Sequence, residues 1–213
     1  SELNKTMQAQ IKKKDTYKMG IDTLFNLRRQ LMQTLVSFKE DLCREDFNAI
    51  PFINADGYHS KTIAYSIWHI FRIEDIVAHT VITEDEQVFF TGNYQVRINS
   101  PIITTGNELV KQQIADFSKQ LNLEELYSYI FEVRESTEKI LERFSYDELK
   151  WKIPDERKGY LKSLNVVNCD EKAIWLIDYW CSKDIRGLIQ MPFSRHWIMH
   201  TEACLRIKNK MHS

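Results

Sequence analysis

Glycine and proline are scarce: six and four in 213 residues. A chain so short of turn formers favours long helices over a fold built on many tight turns. No segment alternates apolar and polar residues as a half-buried strand does. Four cysteines, at 43, 169, 181 and 204, are widely scattered without a Cys-x-x-Cys pair. That spacing argues against a disulfide framework and for free thiols in a reducing compartment. No stretch approaches the roughly 18 uninterrupted apolar residues of a membrane span. The first residues are polar and lysine-rich, unlike the apolar core of a signal peptide, so the expectation is a cytoplasmic protein without a membrane anchor. Neither sign of charge dominates: the net charge is -1 and the pI about 6.6. A nucleic-acid partner is therefore not expected, because its phosphates call for a basic face.

Several catalytic signatures are missing as well. Trp197 follows His196, so there is no His-Glu-x-x-His zinc-protease motif. There is no Glu-x-x-His of the di-iron bundles, no Gly-rich phosphate loop and no Gly-x-Ser-x-Gly.

What the chain does have is helical periodicity and aromatic bulk, with five Trp, nine Tyr and eleven Phe to fill a core. Apolar residues fall at 17, 21, 24, 27, 31, 35, 38 and 42, the stripe of one long amphipathic helix. Residues 45–59, with Pro51 and Asp56-Gly57, read as a loop. Ser60 suits an N-cap for a second helix to about Ile82, apolar over more than half its circumference and hence central. Residues 83–106 read as a long irregular excursion, of the kind that often carries function. Helical character returns from Asn107 to about Phe144 with a break near Leu121-Asn122, where Asn122 and Glu125 resemble a capping box. After a less regular 145–169, helices are expected over Glu171–Ile185 and from Pro192 to about Asn209. The whole reads as a single domain, 1–213, with a polar extension over 1–16. The simplest architecture is all-α: an antiparallel four-helix bundle with accessory helices.

Only six histidines occur, and His196 and His200 stand four apart in the last helix. That spacing places both imidazoles on one face, one turn apart, where they can grip one ion. Two histidines that merely happen to fall four apart are the alternative. A third, His69, lies in Ile67-Trp68-His69-Ile70-Phe71, a stretch that belongs inside a bundle. Periodicity leaves His59 and His79 open as rivals for the third ligand. Cys204 continues the stripe by one more turn, but three successive turns span about 11 Å and cannot converge on one ion. It reads as core packing.

Glu74, Asp75 and Glu202 stand near the histidines in sequence, as orienting partners or as solvated helix faces. Arg72, one turn from His69, reads as a pocket cation for an anionic substrate or as a surface charge. Phe193 and Trp197 suit a pocket mouth or, better for Trp197, the core.

The order of these features resembles the DinB/YfiT-like family of four-helix-bundle proteins described as metal-dependent. The likeness spans roughly residues 17–210. It rests on Trp68-His69-Ile70-Phe71-Arg72-Ile73-Glu74-Asp75 and on the final His196-x-x-x-His200. The resemblance implies an up-down-down-up bundle, often a homodimer, with His69, His196 and His200 holding a divalent ion such as zinc or nickel. It also implies chemistry with a low-molecular-weight thiol or water on a small electrophile, as a thiol transferase or hydrolase. The helical stretch near 171–189 exceeds the family's usual insert. The rival expectation is a non-enzymatic helical binding or dimerisation module with a structural metal site.

Overall fold

The computed structural model describes residues 1–213, and every extended element in it is a helix. The α-helices are α1 (Glu2–Gln10), α2 (Tyr17–Asp41), α3 (Arg44–Asn48), α4 (Ile63–Asp75), α5 (Val88–Thr91) and α6 (Tyr94–Ile98). They continue with α7 (Gln112–Gln120), α8 (Leu123–Glu142), α9 (Arg157–Leu164), α10 (Glu171–Cys181), α11 (Ile185–Gln190) and α12 (His196–Met211). The only β pairing is one isolated bridge between Lys152 and Asp184. No helix is long and apolar enough to cross a membrane.

Helices α2, α4, α8 and α12 pack on one another around a core in which α4 is buried along its whole length. Trp68, Phe71, Tyr127, Tyr129 and Trp197 fill it with aromatic bulk. A second core lies where α1, the first half of α2, α9, α10 and α11 meet, around Leu24, Ile76, Leu141, Trp180 and Phe193.

Several helix ends differ from the sequence expectation for local reasons. The polar extension is the helix α1, fixed by Met7 and Ile11, both fully buried. Gly20 makes the packing of α1 on α2 possible, since a Cβ there would stand 2.5 Å from the Ile11 side chain. Thr62, not Ser60, caps α4, its hydroxyl accepting from the Tyr65 amide at 3.0 Å. Asn122 does cap α8, accepting from the Glu125 amide at 3.2 Å. The return half of the box is missing, because the Glu125 carboxylate accepts from Arg97 at 2.7 Å. The 83–106 excursion contains α5 and α6, which pack on α8.

Both helices that carry histidines are interrupted by wide π turns. After α4 the chain runs on as a π-helix over Ile76–Thr83, ended by Glu84 at φ 58. The Arg157 guanidinium donates to the carbonyls of Thr80, Val81 and Ile82 there. Ahead of α12, Met191–Arg195 is also π-helical. Pro192 accounts for it, since proline has no amide hydrogen and its ring crowds the preceding turn. The disturbed carbonyls find other donors: Ser194 Oγ to Ile189 at 2.7 Å and Arg28 to Phe193 at 2.9 Å. His196 begins the regular helix directly after this turn.

Candidate metal centre

His69 from α4 and His196 and His200 from α12 converge. Their ring centroids lie 5.0, 4.8 and 4.5 Å apart, and one nitrogen of each falls within 4.8 Å of the others. All three side chains are buried. Four-residue spacing brings His196 and His200 onto one face of α12, and the packing of α12 on α4 supplies His69. The rivals lie elsewhere. His59 sits in a short 3-10 turn and meets Arg206 at 2.7 Å. His79 Nδ1 is 2.7 Å from Asp85 and its Nε2 is 2.8 Å from Ser136 Oγ. That chain of contacts has the order of a catalytic triad, but Ser136 lies within α8, whose interior amides are committed to the helix, so none is left to hold an oxyanion.

The protonation state of the cluster follows from its surroundings. His69 Nδ1 is 2.7 Å from the Thr105 carbonyl, which can only accept, so Nδ1 carries the proton and Nε2 keeps its lone pair. Burial pushes the His69 pKa down to about 4, against the pull of that hydrogen bond, and the positive charge of Lys61 pushes the same way. Burial also lowers His196 and His200 well below the ordinary histidine range, reinforced for each by the neighbouring imidazoles. All three rings are neutral at pH 7, as metal coordination requires. The Nδ1 atoms of His196 and His200 are buried and have no hydrogen-bond partner. Such a group costs about 1–3 kcal/mol when left unpaired. Three neutral imidazoles, two with an orphaned nitrogen, fit a divalent ion.

The cluster forms the floor of a cavity of about 530 Å³. Its walls are the 57–61 loop, residues 107–110, the start of the π turn at Met191, and α10. On α10, residues 172, 175, 176, 179 and 180 present one face to the cavity, so the stretch expected only as an accessory helix builds the pocket. The end of the excursion braces the site from behind through Thr105. Gly106 follows it at φ 79, with its carbonyl accepting from Tyr65 Oη at 2.8 Å.

The neighbouring charges fall differently from what sequence proximity suggests. Glu74 is buried, but it accepts from Arg28 at 2.6 and 3.0 Å and from Trp197 Nε1 at 2.6 Å, not from a histidine. Asp75 is buried and accepts from the amides of Val88 and Phe89 and from Tyr129. Glu202 is on the exposed face of α12. Arg72 is neither a surface charge nor a pocket cation: it is buried and donates to Gln87, Tyr129 and the Ile103 carbonyl. Phe193, Trp197 and Cys204 are fully buried core residues. Missing from the sequence reading were Lys61 and Tyr65, about two turns and one turn ahead of His69, which the spacing of 61, 65 and 69 could have flagged. No protein-family model matches this chain, and neither does any curated protein.

Proposed function

We propose that this chain is a DinB/YfiT-like antiparallel four-helix bundle that binds zinc or nickel through His69, His196 and His200. On this reading it acts in the cytoplasm, as a homodimer, as a thiol transferase or hydrolase on a small electrophile. The observation that carries the reading is the convergence of three buried, neutral imidazoles on the floor of a cavity. Three neutral ligands leave a divalent ion's charge uncompensated and a coordination position open, as in catalytic rather than structural sites. A bound ion supplies Lewis acidity, which lowers the pKa of a coordinated water or thiol to near neutrality.

The chain's own residues do the rest. The Thr105 carbonyl fixes the tautomer and orientation of His69. Aromatic and aliphatic walls shed water around the reacting groups, which strengthens every electrostatic interaction within. Lys61 keeps the potential at His69 and His200 positive, favouring a thiolate over its thiol.

One observation favours the rival, a binding module without turnover: no Asp or Glu lines the cavity, so no carboxylate base stands ready. Metal analysis separates a metal site from none. Protein prepared without chelator or affinity tag is expected to hold about one zinc or nickel per chain. The His196→Ala/His200→Ala double variant should lose it and His59→Ala should keep it. A wild-type protein devoid of zinc, nickel, iron and manganese sinks the reading. If metal is present, conjugation assays with small electrophiles and several cellular thiols decide between transferase and binding module.

A further inference from the structure

The charged side chains that line the cavity are of one sign. Lys61 and Lys172 stand there beside the three neutral histidines, and no carboxylate lines it. Lys172 is held by Asp170 at 3.4 Å. Lys61 has no such partner; burial alone acts on it, making its charged form costlier than in water. Its ammonium lies 5.3 Å from the centre of the Tyr65 ring, and Tyr65 stacks on His69 at 5.4 Å with the planes 12° apart. A cation, an aromatic ring and an imidazole therefore succeed one another along one side of the cavity, ending at the cluster. The α10 wall is of another kind: Trp175, Leu176, Tyr179 and Trp180 make it apolar and aromatic. Trp175 is half exposed, so this wall extends to the mouth.

We infer that the cavity selects amphiphilic organic anions, with a carboxylate, sulfonate or thiolate head on Lys61 beside the histidines and an aromatic or branched apolar body against α10. A half-buried ammonium without a partner gains a charge-assisted hydrogen bond from such a head. The volume of about 530 Å³ suits a small organic molecule rather than a bare inorganic ion. This names a substrate class for the site of the proposed function and rests on that reading for turnover only. Anion binding at Lys61 requires no metal ion.

The test therefore uses protein stripped of metal, with calorimetry and tryptophan quenching comparing 2-naphthoate with the neutral, nearly isosteric 2-naphthamide. The expected result is about tenfold tighter binding of the anion, the factor for one charge-assisted hydrogen bond. Lys61→Met should erase the preference and Lys61→Arg should retain it. Equal affinities in the wild type, no binding of the anion, or a preference that survives in Lys61→Met overturns the inference. Zinc titration of the same samples keeps the two ideas apart. Zinc bound without any anion preference overturns this inference alone, and anion preference without zinc binding overturns the metal reading alone.

Discussion

Helices α4 and α12 meet at two buried polar clusters, and the two are built on opposite terms. At one, the Arg28 guanidinium donates to both oxygens of Glu74, to Glu138 and to the Phe193 carbonyl, and stacks 4.1 Å from the Trp197 ring. Glu74 accepts a further hydrogen bond from Trp197 Nε1. All three nitrogens of that guanidinium and both carboxylate oxygens are used. One residue away from Trp197, and five from Glu74, His196 and His69 belong to a cluster where two ring nitrogens have nothing to bond. A saturated buried network specifies which helices pack and in what rotation. An unsaturated one on the floor of a cavity is an invitation to a ligand. The first cluster also serves the second: the Trp197 hydrogen bond fixes the rotation of α12 that turns His196 and His200 towards α4.

The largest effect should come from breaking the saturated cluster. Glu74→Ala leaves the Arg28 charge buried with only Glu138 and a carbonyl, and removing one member of a buried pair costs about 3–5 kcal/mol. Urea unfolding should show that loss, and the double variant Arg28→Met/Glu74→Leu should recover most of it. If Glu74→Ala costs under about 1 kcal/mol, the cluster does not hold α4 and α12 together and the contrast collapses.

How far these two clusters could be read from sequence differs for a physical reason. The buried face of α2 follows from 3.6-residue periodicity, and Ile21, Leu24, Leu27, Leu35 and Phe38 are indeed buried. Arg28 lies on the same face, four residues after Leu24, yet a charged side chain is solvated by default and periodicity has no way to mark an exception. Its partner, Glu74, lies 46 residues away. The histidine pair is visible because both members sit on one helix, whereas periodicity leaves His69 level with His59 and His79; the family resemblance alone favours His69, and its physical reason is the packing of α12 on α4. The helix α1 stayed hidden since its large apolar residues are few, Leu3, Met7 and Ile11 in an otherwise polar run. The α10 face was hidden too, because no local pattern tells a cavity wall from a core face.

A smaller effect tests the neutrality of the histidine cluster. His69 is held at a pKa of about 4, mainly by burial, against 6.5 for an unperturbed histidine. The unfolded chain therefore binds a proton that the folded one refuses between those values. Stability of metal-free protein is complete above pH 6.5, falls as the pH drops through the window, and levels off for this residue below about 4. At about 1.4 kcal/mol per pKa unit the residue's share is about 3 kcal/mol. Denaturant midpoints measured from pH 7 to 4 should slope less steeply in His69→Leu than in the wild type. Equal slopes mean that His69 is hydrated and charged, and the distinction between a dry cluster and an ordinary surface trio disappears.

The smallest expected effect probes the one hydrogen bond the histidine cluster does own. Thr105 can reach His69 because Gly106 turns the chain at φ 79, and a Cβ at Gly106 would stand 2.9 Å from the Tyr65 ring. Gly106→Ala should cost about 1 kcal/mol in stability, the price of a left-handed conformation for a residue with a side chain. Its greater consequence should be on zinc affinity, weakened about 10–100-fold as the carbonyl that orients His69 shifts. A chelator competition titration measures this directly. If Gly106→Ala lowers stability but leaves zinc affinity untouched, then His69 is oriented by packing alone, and the Thr105 bond belongs with the saturated cluster rather than with the site.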